Sequence, residues 1–259
     1  MVDSTPPPRV LGRLLLVLLL VGTGLTLILT VGITKDEPDS TFTVPERRPQ
    51  PHAAVPRAAV RAPVDRPNAS DQVELDAWAE RVSATTEVPA RVVAAYGRAE
   101  MWLRGERPSC GLSWGTLAGI GRMESRHGQL DGNRIGQDGR PDRPIVGVPL
   151  DGSPGVRAIR DTDGGRLDGD RAWDRAVGPM QFLPETWRRW GVRATRDGAR
   201  PDPQDIDDAA LTAARFLCAD GRDLRDPRDW WDAVLAYNAS VSYAQDVLSG
   251  AEAYAASAS

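Results

Sequence analysis

Ser113-Trp-Gly-Thr-Leu-Ala-Gly-Ile-Gly-Arg-Met-Glu-Ser-Arg-His-Gly128 reads as one short helix with both ends marked. Ser113 can cap the free N–H groups at its start, Trp114, Leu117, Ile120 and Met123 are its apolar positions, and Gly128 stops it. Glu124 follows Leu117, Ile120 and Gly121 by seven, four and three positions. Its carboxylate therefore projects from the apolar face, near the C-terminal end of the helix. Burial and the negative helix end both raise the pKa of a carboxylic acid. A protonated glutamate in a cleft is what a glycosidase uses to protonate a leaving oxygen. On spacing alone, a solvated surface glutamate is the favoured reading, because most helical glutamates are solvated surface groups.

Helical signals continue on both sides. Val73 to Ser83 places Val73, Trp78 and Val82 near helical spacing, and Pro89 opens a second helix at its N1 position. That helix runs through Val92, Val93, Tyr96, Met101 and Leu103, and Gly105 and Pro108 end it. Further helices are predicted over Pro184 to Trp190, Ile206 to Ala219, Arg228 to Tyr237 and Val241 to Leu248, and the small, polar tail from Gly250 is expected to fray. Between Gly128 and Asp174 the chain is rich in Gly, Asp and Pro. One hairpin is expected there, with Ile145 to Leu150 and Val156 to Ile159 flanking the turn Asp151-Gly-Ser-Pro-Gly155. The expected class is mainly α (α+β), with a small β-hairpin insertion beside a cleft.

The 259 residues are 41% hydrophobic and 26% charged, a globular composition. Leu14 to Ile33 is a run of 20 residues without a charge, and at about 1.5 Å per residue it spans a bilayer. Arg9 and Arg13 precede it and Asp36, Glu37 and Asp39 follow it, which places the N-terminus in the cytoplasm and the remainder outside. A signal peptide is the competing reading, but the run is long for one and no small-x-small cleavage site follows. Residues 35–72 hold seven prolines and no amphipathic period, a semi-extended linker reaching on the order of 100 Å. The expected organisation is a cytoplasmic start over 1–13, a transmembrane anchor over 14–34, a linker over 35–72, one catalytic domain over 73–250 and a flexible tail over 251–259. The net charge of −4 comes without clustered positive charge, which excludes a nucleic-acid partner.

Cys110 and Cys218 are the two cysteines. On the exported side they can form a disulfide closing a loop of about 100 residues; two buried free thiols are the alternative. His127 is the single histidine after the linker, so neither a metal site nor any cofactor is indicated. Gly111-Leu-Ser-Trp-Gly115 matches the serine-hydrolase G-x-S-x-G pattern, but no strand precedes it and Ser113 reads better as a helix cap. The stretch from Asp161 to Asp170 is rich in aspartate. It lacks the glycine and the final carboxylate of an EF-hand loop, so a solvated turn cluster is favoured over an ion site.

Three ordered segments change the weight of these readings. Gly119-Ile-Gly-Arg-Met-Glu-Ser-Arg-His-Gly128, Arg175-Ala-Val-Gly-Pro-Met-Gln-Phe-Leu-Pro-Glu-Thr-Trp187 and Ala236-Tyr-Asn238 resemble the signature segments of lytic murein transglycosylases of the membrane-bound B type. The resemblance covers nearly all of residues 73–250, and the insertion, paired cysteines and uncleaved anchor resemble the actinobacterial branch. It implies a lysozyme-like α-helical domain acting on peptidoglycan strands. It also implies Glu124 as the single catalytic acid/base, and Ser125, Gln181, Tyr237 and Asn238 as residues of the substrate site. Trp187 and Trp190 adjoin the glutamine motif, where stacking on sugars is one reading, but core packing is favoured for either tryptophan.

The implied reaction cleaves the MurNAc-β-1,4-GlcNAc bond and leaves a 1,6-anhydro end, with no cofactor. One rival is a muramidase that uses water and a second carboxylate such as Asp161, Asp163 or Asp168. The other is a wall-binding protein that performs no chemistry.

Overall fold

The computed structural model describes residues 69–257. The expected anchor over 14–34 and the linker up to residue 68 lie outside the described residues, and among the described residues no helix is long and apolar enough to cross a membrane. Seven α-helices are present there: α1 (Ala69–Thr86), α2 (Ala90–Glu106), α3 (Trp114–Ser125), α4 (Pro184–Trp190), α5 (Ile206–Leu217), α6 (Pro227–Tyr237) and α7 (Val241–Ser257). Single 3-10 turns follow α3 at Leu130–Gly132 and α5 at Ala219–Gly221.

The helix that carries Glu124 is the buried centre of this bundle. Every residue of α3 from Trp114 to Gly121 is buried, and α3 packs chiefly on α7 and also on α2. Small residues set the α3–α7 spacing. A Cβ on Gly119 would stand 2.5 Å from the Val247 carbonyl oxygen, and one on Gly115 3.5 Å from that of Ala251. Gly119→Ala must therefore push the two helices apart. The expected loss is about 1–3 kcal/mol by overpacking, larger than the gain in helix propensity; an unchanged melting temperature would contradict so close an approach.

The start of α3 is fixed three ways. Ser113 caps it as expected, its hydroxyl accepting from the Thr116 N–H. The buried Glu100 carboxylate of α2 accepts from the Trp114 N–H at 2.7 Å, which places negative charge at the positive end of the helix. Cys110 is disulfide-bonded to Cys218, with Cα atoms 5.6 Å apart, and this ties the segment before α3 to the end of α5.

Three expectations need correction. Pro89 is the cap preceding α2, not its first helical residue. The tail does not fray at Gly250: α7 continues to Ser257, and Gly250, Ala251 and Ala255 are buried, because small residues are what close packing on α3 requires. The hairpin does not form as a ladder. Asp151 bridges Ala158 and the Ile159 N–H donates to the Leu150 carbonyl, but Arg160 then bridges Trp173 and Val146 bridges Val177. Only isolated bridges occur among the described residues. Aspartate side chains take backbone N–H groups in the turn and in the loop beyond it, those of Ser153, Asp163, Gly164 and Gly165, so that local turns stand beside these bridges.

Candidate functional site

Glu124 lies in the last turn of α3, half-buried, and the Tyr243 hydroxyl of α7 donates a hydrogen bond to its Oε1. Burial pushes the Glu124 carboxyl up from 4.5 to about 7, against the opposing effect of the Tyr243 hydrogen bond. Among the described residues no cation forms an ion pair with it. Tyr243 is itself held neutral, its pKa raised by burial and then by the Glu124 charge, so it remains a hydrogen-bond donor. The group is thus a carboxylic acid at mildly acidic pH, able to give up a proton and take one back near neutrality.

The segment carrying Gln181 is docked on this end of α3. The Ser125 hydroxyl donates to the Pro179 carbonyl at 2.6 Å and accepts from the Gly128 N–H. Met180 lies beside Gly121, and the Tyr237 hydroxyl donates to the Met180 carbonyl at 2.7 Å. The Tyr237 ring packs against Phe182 and Phe216, which connects α6 to the same segment. Gln181 adopts a left-handed backbone, φ 48°, unusual for a residue with a side chain. Its Nε2 donates to the Gly178 carbonyl at 3.0 Å, and its Oε1 lies 3.0 Å from where a Cβ on Gly147 would stand. Gly147→Ala would displace that amide.

The structure thus gathers Glu124, Ser125 and Tyr237 with the segment of Gln181, but their roles differ from one another. Ser125 is 2% exposed and its oxygen is engaged twice, so it secures the docked segment and presents no hydroxyl to solvent. Tyr237 likewise holds the Met180 carbonyl. Asn238 is exposed just beyond α6, at its C-cap. Trp187 is 5% exposed and packs on Phe182, a core position, and Trp190 sets its edge against Phe216. Ser113 is a cap, and His127 is bonded to Tyr96 and Tyr254, so no serine nucleophile is activated here.

The sequence reading missed Tyr243. The available signal was weak: a tyrosine in the first turn of α7, four before Val247 and on the face that meets α3. Tyr243→Phe is expected to lower turnover and move the alkaline limb of the pH–rate profile upward, because the hydrogen bond it removes favours the charged carboxylate. A limb that moved downward or stayed put would contradict this role.

The aspartate-rich loop is built on itself. Asp161 accepts from the N–H groups of Asp163, Gly164 and Gly165, Asp163 from those of Arg166 and Leu167, and Asp168 from those of Asp170 and Arg175. Those backbone bonds hold Asp161 below the usual carboxylate range. Asp161, Asp163 and Asp174 bring one oxygen each within 4.8 Å of one another, and the Asp174 oxygens already accept from Thr162.

No protein-family model matches the chain, and no curated protein matches it. A solved structure of the Escherichia coli lytic transglycosylase Slt35 in complex with calcium is similar, at 14% identity and a TM-score of 0.42, over 70% of this chain and 78% of that one. At that identity and superposition the likeness assigns no roles to residues.

Proposed function

We propose that this protein is a peptidoglycan lytic transglycosylase of the membrane-bound B type, with Glu124 as its single acid/base. The observation that carries the reading is the Glu124 carboxyl, half-buried at the end of α3, held by a neutral tyrosine and poised near pH 7. The three sequence segments that resemble the family fall on α3, on the segment docked against it and at the end of α6. This supports reading them as one site.

Glu124 donates its proton to the glycosidic oxygen as the bond from MurNAc C1 breaks, and the N-acetyl group of that MurNAc supports the electron-poor C1. The C6 hydroxyl of the same sugar then forms its bond to C1 and returns its proton to Glu124. One glycosidic bond is exchanged for an internal one between C1 and O6, the GlcNAc leaves with a free 4-hydroxyl, and no water is consumed. Because the nucleophile is already tethered to the reacting carbon, effective molarity does the work of the second carboxylate that ordinary glycosidases need. The muramidase alternative finds no support in Asp161, Asp163 or Asp168, whose carboxylates are engaged in their own loop.

The domain works outside the cell in this reading, held to the membrane by residues 14–34 with its N-terminus in the cytoplasm and reaching the wall through the proline-rich linker. Incubated with purified peptidoglycan, the full chain is expected to release soluble glycan fragments at a rate that falls as pH rises through about 7, as Glu124 loses its proton. No release at any pH would reduce the protein to a wall binder.

A further inference from the structure

The chain has four tyrosines, and all four hydroxyls bond to the last turn of α3, to the residues just after it or to the segment docked on it. Tyr243 donates to Glu124 and Tyr237 to the Met180 carbonyl, while Tyr96 and Tyr254 both bond to His127. The mechanism above uses neither His127 nor its two tyrosines.

His127 stands three residues after Glu124 and is 6% exposed. It is the middle of three successive left-handed residues, with φ 51° at Arg126, 60° at His127 and 80° at Gly128. Non-glycine residues in this conformation cost roughly 1–3 kcal/mol each and persist only where the surroundings hold them. Here the holding is explicit. The imidazole Nδ1 is 3.3 Å from the Tyr96 hydroxyl on α2, Nε2 is 2.8 Å from the Tyr254 hydroxyl on α7, and the His127 N–H donates to the Gly121 carbonyl at 2.9 Å. The Tyr96 hydroxyl also packs against Gly121, one turn before Glu124.

Burial, and then the Arg122 charge, push His127 down to about 4, so near neutral pH the ring is uncharged and offers one N–H donor and one acceptor. Two tyrosine hydroxyls, each able to donate and accept, satisfy both. The ring spans from α2 to α7 across the end of α3.

We propose that His127, braced between Tyr96 and Tyr254, is a positioning residue for Glu124: it locks the left-handed turn that ends α3 and so fixes the direction of the carboxyl group. The inference rests on Glu124 as the group that transfers the proton.

Tyr254→Phe and His127→Phe, made in the full chain, test it by three measurements: thermal unfolding, kcat and KM on soluble glycan strands, and the Glu124 pKa. The last is followed by carboxyl carbon chemical shift and assigned by comparison with Glu124→Gln. Both variants are expected to lower kcat about tenfold to a hundredfold with little change in KM. Glu124 is also expected to titrate at lower pH, because a loosened turn admits water to it. Loss of thermal stability with unchanged kcat and an unchanged Glu124 titration would overturn the proposal and leave His127 as core packing. If His127→Phe does not fold, Tyr254→Phe carries the test alone, since it removes one oxygen from a half-exposed ring. The titration needs no turnover. A Glu124 pKa that falls in the variants, in a chain whose wild type cleaves nothing, would refute the proposed reaction and leave the brace standing.

Discussion

Glu124→Gln is expected to abolish wall cleavage and, above neutral pH, to make the protein more stable than the wild type. The activity loss follows from removing the one group that both gives and takes the proton, an effect of about 10²–10⁴-fold. The stability gain follows from linkage. The folded protein holds the Glu124 proton up to about 7 against an ordinary value of 4.5. Below 4.5 the carboxyl is protonated in both the folded and unfolded chain, and its burial carries no pH-dependent penalty. Between 4.5 and 7 the unfolded chain ionises first, so stability falls as pH rises, and above 7 the full penalty remains. A shift of this size corresponds to roughly 3–3.5 kcal/mol. Glutamine cannot ionise, and its amide oxygen can still accept from Tyr243. Unfolding measured at about pH 8 should therefore favour the variant, with the advantage gone at about pH 4. Equal stability at both values would mean that Glu124 is an ordinary solvated carboxylate.

Removing the disulfide should have the largest effect on stability alone. Cys110 and Cys218 are 108 residues apart in sequence, and a bridge closing so long a loop contributes about 4–5 kcal/mol in the chain-entropy view. For a domain of this size that corresponds to a melting temperature lower by roughly 10–20 °C. The local setting adds to this: the Leu224 N–H donates to the Cys110 carbonyl at 2.6 Å, and the Arg107 side chain donates to the Cys218 carbonyl at 2.8 Å. The loop before α3 and the turn after α5 are thus stitched on both sides of the bridge. A double Cys→Ser variant, or the wild type in strong reductant, should melt well below the oxidised protein; coincident melting curves would show that the hydrogen bonds suffice without the sulfur link.

Where the sequence was legible, a local signal and its tertiary outcome agreed. Pro184 at the head of α4 and Ser113 at the head of α3 mark helix starts through backbone chemistry that needs no partner. The side of α3 that carries Glu124 was legible from its offsets from Leu117 and Ile120, whereas its partner Tyr243 was not. What was hidden depends on what packs against what. The continuation of α7 past Gly250 rests on Ala251 and Ala255 fitting closely among their neighbours, and small residues carry no hydrophobic period to announce it. Ser125 follows the catalytic candidate and invites a role in the cleft, yet its hydroxyl is turned inward to Pro179, a partner 54 positions away. Tyr243 acts through a bond to Glu124, 119 positions away, and His127 through bonds to Tyr96 and Tyr254, 31 and 127 positions away. Spacing in the sequence cannot report such pairings.

The mass of the reaction product tests the central claim most directly. Peptidoglycan digested by the full chain should yield fragments ending in 1,6-anhydro-MurNAc, lighter by one water than hydrolytic fragments of the same composition. Fragments that carry only hydrated reducing ends would contradict the account and make the protein a muramidase.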